Sequence, residues 1–549
     1  MKKLISLCLA ALLFALLLAP ASAAVTGGAL NAPTVYVVGG NANVINGEGE
    51  QVLSINVPDG YLGEAIADCV PDLAKAVLLR TPEAKAAYID KLVSWMAPIY
   101  EKVIMDDNGE PIGEYYPLTD YDRTPFVIPE VAPNRISNGG YALRSYDFYY
   151  DWRLDPFVNA ARLEAYITAI QRGTGAEKVN LLGRCEGATV VMAYLSAYGH
   201  EKINKVFFNT SAAKGYLLTS AIFSGQMEFS SKVINAYLNN NPNFSLDTLD
   251  TSSIPAGEEL IAMLTAMLDG AAAAPEMDIP AWLLSRLYAD IIRDAVPQVL
   301  LASYGTFPAM WAMVDNDHFE AAVSYVFAGK EAQYAGLIEK IRNYHENVAQ
   351  KIDEILTACM EDGVAVGGVT KYGYPAMPLY KDSDQLSDGH ALVSQVSFGA
   401  TAAKHDGVLD EKYINRRVSD GLGKYISADK KIDASTCLFP DTMWFVGNLE
   451  HQSFPWMLDD LTQRFFTTDG MTVDTLAAYP QFMLFNAGAY RFEPLTEENA
   501  ALSVVGVEKE EESVVDAFDR FMSGFLTIVL RVVEYVRGII SGIVEHATA

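Results

Sequence analysis

Val179-Asn180-Leu181-Leu182-Gly183-Arg184-Cys185-Glu186-Gly187-Ala188-Thr189-Val190-Val191 is the stretch on which the fold of this chain turns. Its opening apolar run reads as a buried strand. Gly183 and Gly187 bracket a tight turn, and Ala188 to Tyr198, small and apolar, reads as a helix. Strand, G-x-C-x-G turn and helix together form the layout of a nucleophile elbow, which lifts one side chain above the end of a sheet. Cysteine stands at the centre where that pattern has serine. The two glycines sit where a Cβ would clash as strand and helix close on each other. A helix N-terminus behind Cys185 favours a thiolate and a developing oxyanion. A buried cysteine in an ordinary strand-to-helix turn has the same local pattern, so the rest of the chain decides between the two.

The flanking sequence alternates strand and helix signals. Pro33 to Asn41 reads as a buried strand leaving through Gly39-Gly40, a turn that either brings a backbone N–H close to a ligand or simply exits the strand. Residues 62 to 104 read as helical, and 105 to 140 are rich in turn residues. Tyr141 to Tyr150 is a strand that runs into Tyr150-Asp151-Trp152-Arg153 and then a helix from about Pro156 to Arg172. Lys205 to Asn209 is the next strand after the elbow helix. This alternation predicts an α/β fold with a mostly parallel sheet and helices on both faces. From 211 to 361 the pattern becomes helical, at Ser231–Asn239, Gly257–Asp269, Ala281–Leu301 and Ala332–Cys359, with no strand signal between. That stretch is expected to be an inserted helical cap. Strand signals resume at Gly363–Val369 and Thr442–Val446. The expected organisation is a core built from 24–210 and 362–495, a cap at 211–361, and an acidic linker with an amphipathic helix at 496–549.

The ends of the chain carry their own signals. Lys2 and Lys3, the apolar run Leu4–Leu18 and the A-x-A site Ala21-Ser22-Ala23 predict a signal peptide at 1–23 and a secreted protein. Leu7 precedes Cys8 where a lipid-anchor site would need a small residue. Cleavage would leave Cys69, Cys185, Cys359 and Cys437, too few for a disulfide scaffold, with at most one disulfide if Cys185 stays free. The formal net charge of −29 argues against nucleic acid and against general attraction to anionic membranes. No zinc spacing or phosphate loop is present, and Gly39-Gly40 lacks the further glycine of a dinucleotide fingerprint, so neither metal nor cofactor is expected. At the C-terminus, apolar residues from Val514 to Ile543 fall three or four apart in one stripe. Arg531, Glu534 and Arg537 interrupt it, so it is not read as a membrane span. It is expected either to pack on the body or to lie against a lipid interface or a partner.

A cysteine nucleophile needs a base, a group that orients the base, and donors for the oxyanion. Along an α/β-hydrolase chain the order is nucleophile, acid, histidine. Of the seven histidines, His390, His405 and His451 are placed for a loop after the last strands; His390 and His405 lie nearer the expected acid loop, and His451 follows the strand Thr442–Val446. For the acid, Asp388 in Leu386-Ser387-Asp388-Gly389 lies in a turn after the strand at 363–369, with Asp382 and Asp384 as competitors.

Tyr150-Asp151-Trp152-Arg153, a helix and then the elbow, in this order, resemble the lecithin:cholesterol acyltransferase and lysosomal phospholipase family of α/β-hydrolases. Val38-Gly39-Gly40 stands where the family has a Val-Pro-Gly oxyanion loop. Tyr304-Gly305-Thr306-Phe307-Pro308-Ala309-Met310-Trp311 is similar to a stretch of its cap, and Ser387-Asp388-Gly389 to its Gly-Asp-Gly acid loop. The similarity covers about residues 33 to 455 and is sparse. It implies an α/β-hydrolase with a helical cap, Cys185 as nucleophile, Asp388 as acid, His451 as base, and the N–H groups of Gly40 and Glu186 as oxyanion donors. Asp151 and Arg153 are expected to hold their loop as a buried ion pair. Trp152 is a weaker candidate for the border of an acyl site. The implied activity is hydrolysis, or transfer to an alcohol, of the acyl group of carboxylic, lipid-like esters through an acyl-cysteine. The competing expectation is a binding or cell-surface protein on a hydrolase scaffold that has lost catalysis. Arg184 either lowers the Cys185 pKa or points to solvent.

Overall fold

Short apolar runs rich in Val, Phe and Tyr build the centre of the molecule. In the computed structural model, which describes residues 32–39, 44–48, 61–117, 145–228, 291–377, 380 and 383–505, they form one eight-stranded sheet. The strands are β1 (Thr34–Val38), β2 (Ser145–Phe148), β3 (Val179–Arg184), β4 (Ile203–Asn209), β5 (Ala365–Tyr372), β6 (Met443–Gly447), β7 (Phe482–Asn486) and β8 (Arg491–Pro494). Their order is β8-β7-β6-β5-β4-β3-β1-β2. Every neighbouring pair is parallel except β7 and β8. The protein is therefore an α/β fold around a mostly parallel sheet.

Because side chains alternate across a strand, each run feeds two cores. Val35, Val37, Leu181, Phe208, Val366 and Phe445 face one side, under the helices Pro156–Thr174, Gly187–Tyr198 and Ile352–Glu361. Tyr36, Leu182, Phe207, Val369, Trp444 and Val446 face the other, under Trp456–Thr467. The helix Pro156–Thr174 illustrates how local sequence fixes an element. The Asp155 carboxylate accepts from the Phe157 N–H at 2.9 Å, Pro156 occupies the first turn, and Gly175 closes the end at φ 71°.

The inserted region has its own core, with Phe223, Leu300, Trp311, Phe319, Phe327, Leu337 and Ile341 in one cluster. The expected helix Ala332–Cys359 is broken into Ala335–Asn347, a single 3-10 turn at Ala349–Lys351, and Ile352–Glu361. The break has a packing cause. Leu337 and Ile341 serve the insert, whereas Tyr344, Val348, Ile352, Leu356 and Cys359 pack into the sheet core. The chain must turn at the buried Val348 to switch cores, so the sheet layer takes over within the stretch read as cap. Of the expectation for Ala281–Leu301, the described part is a helix at Arg293–Leu301.

Strands β7 and β8 extend the sheet beyond the last strand expected from sequence. The signal peptide, Gly40, Asp382, His546, the helical readings at 231–239 and 257–269, and the stripe from Val514 to Ile543 lie outside the described residues. Cys69, Cys185, Cys359 and Cys437 are all free thiols. Among the described residues, no helix is long and apolar enough to cross a membrane, and no group of three His, Cys, Asp or Glu is set to hold a metal ion.

Candidate active site

Four adjacent strands end at one edge of the sheet, and each leaves it through a residue with positive φ. These are Cys185 (51°) after β3, Thr210 (52°) after β4, Gly373 (114°) after β5 and Asn448 (55°) after β6. For residues with a side chain this conformation costs on the order of 1–3 kcal/mol, and such strain gathers at functional sites. The strand order reverses between β1 and β3, the point at which parallel sheets open a crevice at their carboxyl ends.

Cys185 occupies that crevice because backbones close around it. A Cβ on Gly187 would lie 2.1 Å from the Val37 carbonyl oxygen, and one on Gly39 would lie 2.5 Å from the Glu186 Cβ. The Cys185 N–H donates to the Asn209 carbonyl at 3.1 Å, and its carbonyl accepts from Ala188 and Ala212 at 3.1 and 3.0 Å. The side chain is thus fixed upward and is half-buried.

Two of the predicted partners meet it. The Cys185 Sγ lies 3.5 Å from His451 Nε2, and His451 Nδ1 lies 2.8 Å from Asp388 Oδ2. Asp388 is fully buried, and its Oδ1 accepts from the N–H groups of His390 (3.1 Å) and Ala391 (2.8 Å). The His451 N–H donates to the Asp388 carbonyl at 2.9 Å, so the acid loop and the histidine loop are tied by backbone as well as side chain.

The electrostatics favour a thiolate–imidazolium pair. Burial pushes the Cys185 thiol up. Hydrogen bonds from His451, Tyr216 and the Glu186 N–H, with the His451 charge, outweigh burial and hold it below its ordinary value. Burial opposes charge on His451 too, but the Asp388 carboxylate and the sulfur raise it to about 10. Burial would push Asp388 up, and the His451 charge and hydrogen bond bring it below the usual carboxylate range.

The other predicted residues fall in different places. His390 sits beside His451, ring centroids 5.0 Å apart, and donates only its backbone N–H to Asp388. His405 is buried away from the relay near Lys431, and Asp384 pairs with Lys404 at 2.6 Å. The Glu186 N–H stands at the start of the elbow helix, facing the sulfur. Gly40 lies outside the described residues. The Arg184 side chain does not point to solvent. Its guanidinium reaches Asp459 at 3.4 Å and lies 4.4 Å over the Phe454 ring. Arg153 and Asp151 form a buried two-pronged pair at 3.0 and 2.6 Å, and Arg153 Nη1 also donates to the Val103 carbonyl at 2.9 Å. Trp152 packs edge-on against Phe307, centroids 5.6 Å apart. It shares that cluster with Met310, which also packs with Ala212, Tyr216, Met313, Ala391, Val396 and Cys185. These latter residues make an apolar wall at the sulfur.

Sequence reasoning missed two residues. Tyr216 donates toward the Cys185 Sγ at 3.4 Å. Lys371, fully buried on β5, donates to the carbonyls of Glu450 (3.2 Å), His451 and Ser453 (2.9 Å) and lies 3.8 Å over the Phe454 ring. Burial pushes it down to about 7 while the Asp388 charge favours the ammonium, whose three protons match the three carbonyls. It pins the loop that carries His451. A lysine inside an apolar strand was the one available signal; for Tyr216 there was none. In comparisons with known proteins, no family model matches this chain, and no curated protein matches it.

Proposed function

We propose that this protein is an α/β-hydrolase that uses Cys185 to take the acyl group from carboxylic, lipid-like esters. We infer a relationship to the lecithin:cholesterol acyltransferase and lysosomal phospholipase family, with the inserted helices as cap. The observation that carries the reading is the continuous Cys185–His451–Asp388 contact at a strained strand exit. It is supported by the placement of the three residues after β3, β6 and β5, in the chain order nucleophile, acid, histidine. A hydrolase scaffold that had lost catalysis would be free to lose this relay, and here all three side chains are in contact.

The chemistry follows from the groups present. The Cys185 thiolate attacks the ester carbonyl carbon, and the C=O π pair moves onto oxygen. The Glu186 N–H and the helix N-terminus behind it favour that charge. As the intermediate collapses, the His451 Nε2–H protonates the departing alkoxide, and the acyl group remains on sulfur as a thioester. His451, now neutral, takes a proton from water or an alcohol, whose oxygen attacks the thioester and expels the thiolate. Asp388 keeps Nδ1 protonated and balances the imidazolium through both steps. A thiolate leaves a tetrahedral intermediate more readily than an alkoxide, so esters and thioesters suit this site better than amides. The wall of Met310, Met313, Ala391 and Val396 suits an acyl chain.

The test is the pH dependence of ethyl butyrate hydrolysis, an ester whose alkoxide cannot depart without the His451 proton. The reactive form is thiolate with imidazolium. kcat/KM is therefore expected to rise as the thiol ionises, at a pH below that of an ordinary thiol. It should then hold level and fall as His451 loses its proton near pH 10. Cys185→Ser removes the ionising sulfur, so the catalyst then needs neutral His451. Residual activity should be lower and its profile should only rise with pH. Hydrolysis by wild type that tracks an ordinary thiol ionisation, or that persists in Cys185→Ala, would exclude this mechanism.

A further inference from the structure

One hydroxyl beside the sulfur has no part in the steps above. The Tyr216 OH lies 3.4 Å from the Cys185 Sγ and 3.2 Å from the Thr210 carbonyl oxygen. A phenol has one proton, and here it has two acceptors. We propose that Tyr216 is a further catalytic residue, whose hydroxyl hydrogen bond passes between the Cys185 sulfur when it is a thiolate and the Thr210 carbonyl when the sulfur is acylated. The inference rests on the acyl-cysteine reading.

The ring is held so that the hydroxyl can do this. The Tyr216 N–H donates to the Met313 carbonyl at 2.8 Å, and its carbonyl accepts from the Ser220 N–H at 3.0 Å and the Ser220 hydroxyl at 2.9 Å. Leu217, the first residue of the helix Leu217–Ser224, is tied to Gln395 Oε1 at 3.0 Å. The ring packs in the apolar wall and meets the His451 ring edge-on, centroids 6.1 Å apart. Both acceptors belong to strand-exit residues locked at positive φ, Cys185 and Thr210. Neither the phenol nor its acceptors can drift, so only the hydrogen can move.

The ionisable groups around the hydroxyl are Cys185 and Glu186 on the elbow, His451 on the loop after β6, and Asp388 on the loop after β5. Burial first, then the negative groups among these, hold the phenol far above its ordinary range, so it stays protonated. No bond to Tyr216 is made or broken. While sulfur carries charge, in the resting pair and again as the leaving group of deacylation, the O–H points to it. A thioester sulfur is a poor acceptor, and the Thr210 carbonyl then satisfies a donor that would otherwise be stranded in a buried site. The charge-assisted bond is thus made when sulfur is charged and is replaced, not lost, when it is not.

The test is the pH dependence of iodoacetamide alkylation of Cys185, read on its own peptide by mass spectrometry, in the full chain. Cys69, Cys359 and Cys437 are buried with thiols pushed up, Cys359 to about 11 and Cys437 to about 12, so they react slowly. Tyr216→Phe keeps the ring and removes one hydrogen bond to a charged acceptor. Below the wild-type midpoint it should be alkylated at least roughly tenfold more slowly, and at high pH as fast or faster. A fluorinated tyrosine at 216, a stronger donor, should move the midpoint the opposite way, which loss of packing cannot do. Superimposable profiles for all three proteins, with the wild-type midpoint below that of an ordinary thiol, overturn the role of Tyr216 and leave the ion pair standing. A wild-type midpoint at the ordinary thiol value overturns both.

Discussion

Asp388→Asn is expected to lower kcat on a p-nitrophenyl ester on the order of 10⁴-fold while leaving the fold intact. The Asn Oδ1 can still accept the His390 and Ala391 N–H groups that hold the acid loop at 3.1 and 2.8 Å, so the loop keeps its shape. What changes is the other arm. An amide NH2 now faces His451 Nδ1, which must accept instead of donate. The ring's single proton moves to Nε2, the tautomer that cannot take a proton from the thiol. The Asp388 charge is also the largest influence raising His451 to about 10, so its removal dissolves the thiolate–imidazolium pair. Steady-state kinetics paired with a melting curve separate this from unfolding: kcat should collapse with Tm nearly unchanged. A variant within tenfold of wild type would show that His451 does not depend on Asp388.

Gly187→Ala is expected to fail at folding and not at chemistry. Its Cβ would sit 2.1 Å from the Val37 carbonyl oxygen, 2.6 Å from the Val37 carbonyl carbon and 3.1 Å from the Gly39 nitrogen. All three belong to β1 and its exit, so no side chain can swing away, and the elbow helix must part from the sheet. A loss of more than about 3 kcal/mol is expected, enough to remove soluble protein or to shift the denaturant midpoint strongly. Gly183→Ala is the internal control. Its Cβ would meet the Ala188 Cα at 3.1 Å and the Phe208 ring at 3.2 Å, contacts that a shift of a few tenths of an ångström relieves. Equal stability of the two variants would mean that the strand and the elbow helix are not packed this closely.

The comparison between these glycines shows why the elbow was legible in sequence. Backbone closes on Gly187 too tightly for any Cβ and presses on Gly183 as well, so two glycines at this spacing mark the turn without any knowledge of the rest. β1, β3, β4 and β6 were legible for a similar reason: strands covered on both faces are unbroken apolar runs. β8, Arg491-Phe492-Glu493-Pro494, is an exposed edge strand with little apolar signal, and β7 beside it is fully buried only at Met483 and Leu484, so neither stood out. The break at Val348 was hidden because its helical periodicity continues on both sides, and only the change of core partner requires a turn. At the site, Cys185, Asp388 and His451 could be placed by chain order. Lys371 and Tyr216 could not, because their roles come from contacts across 79 to 82 and 31 residues, respectively. The direction of Arg184 could not be read either, because adjacency in sequence says nothing of it; its partners Phe454 and Asp459 come from the segment after His451.

The central claim, an acyl group carried on Cys185, is tested most directly by mixing the protein with excess p-nitrophenyl butyrate, quenching in acid within the first turnovers, and mapping the adduct by peptide mass spectrometry. The account predicts a butyryl mass increment on the peptide containing Cys185, labile to neutral hydroxylamine as a thioester is, and formed in step with the burst of p-nitrophenol. Release of p-nitrophenol with no adduct on Cys185, or with the acyl group on another residue, would contradict it.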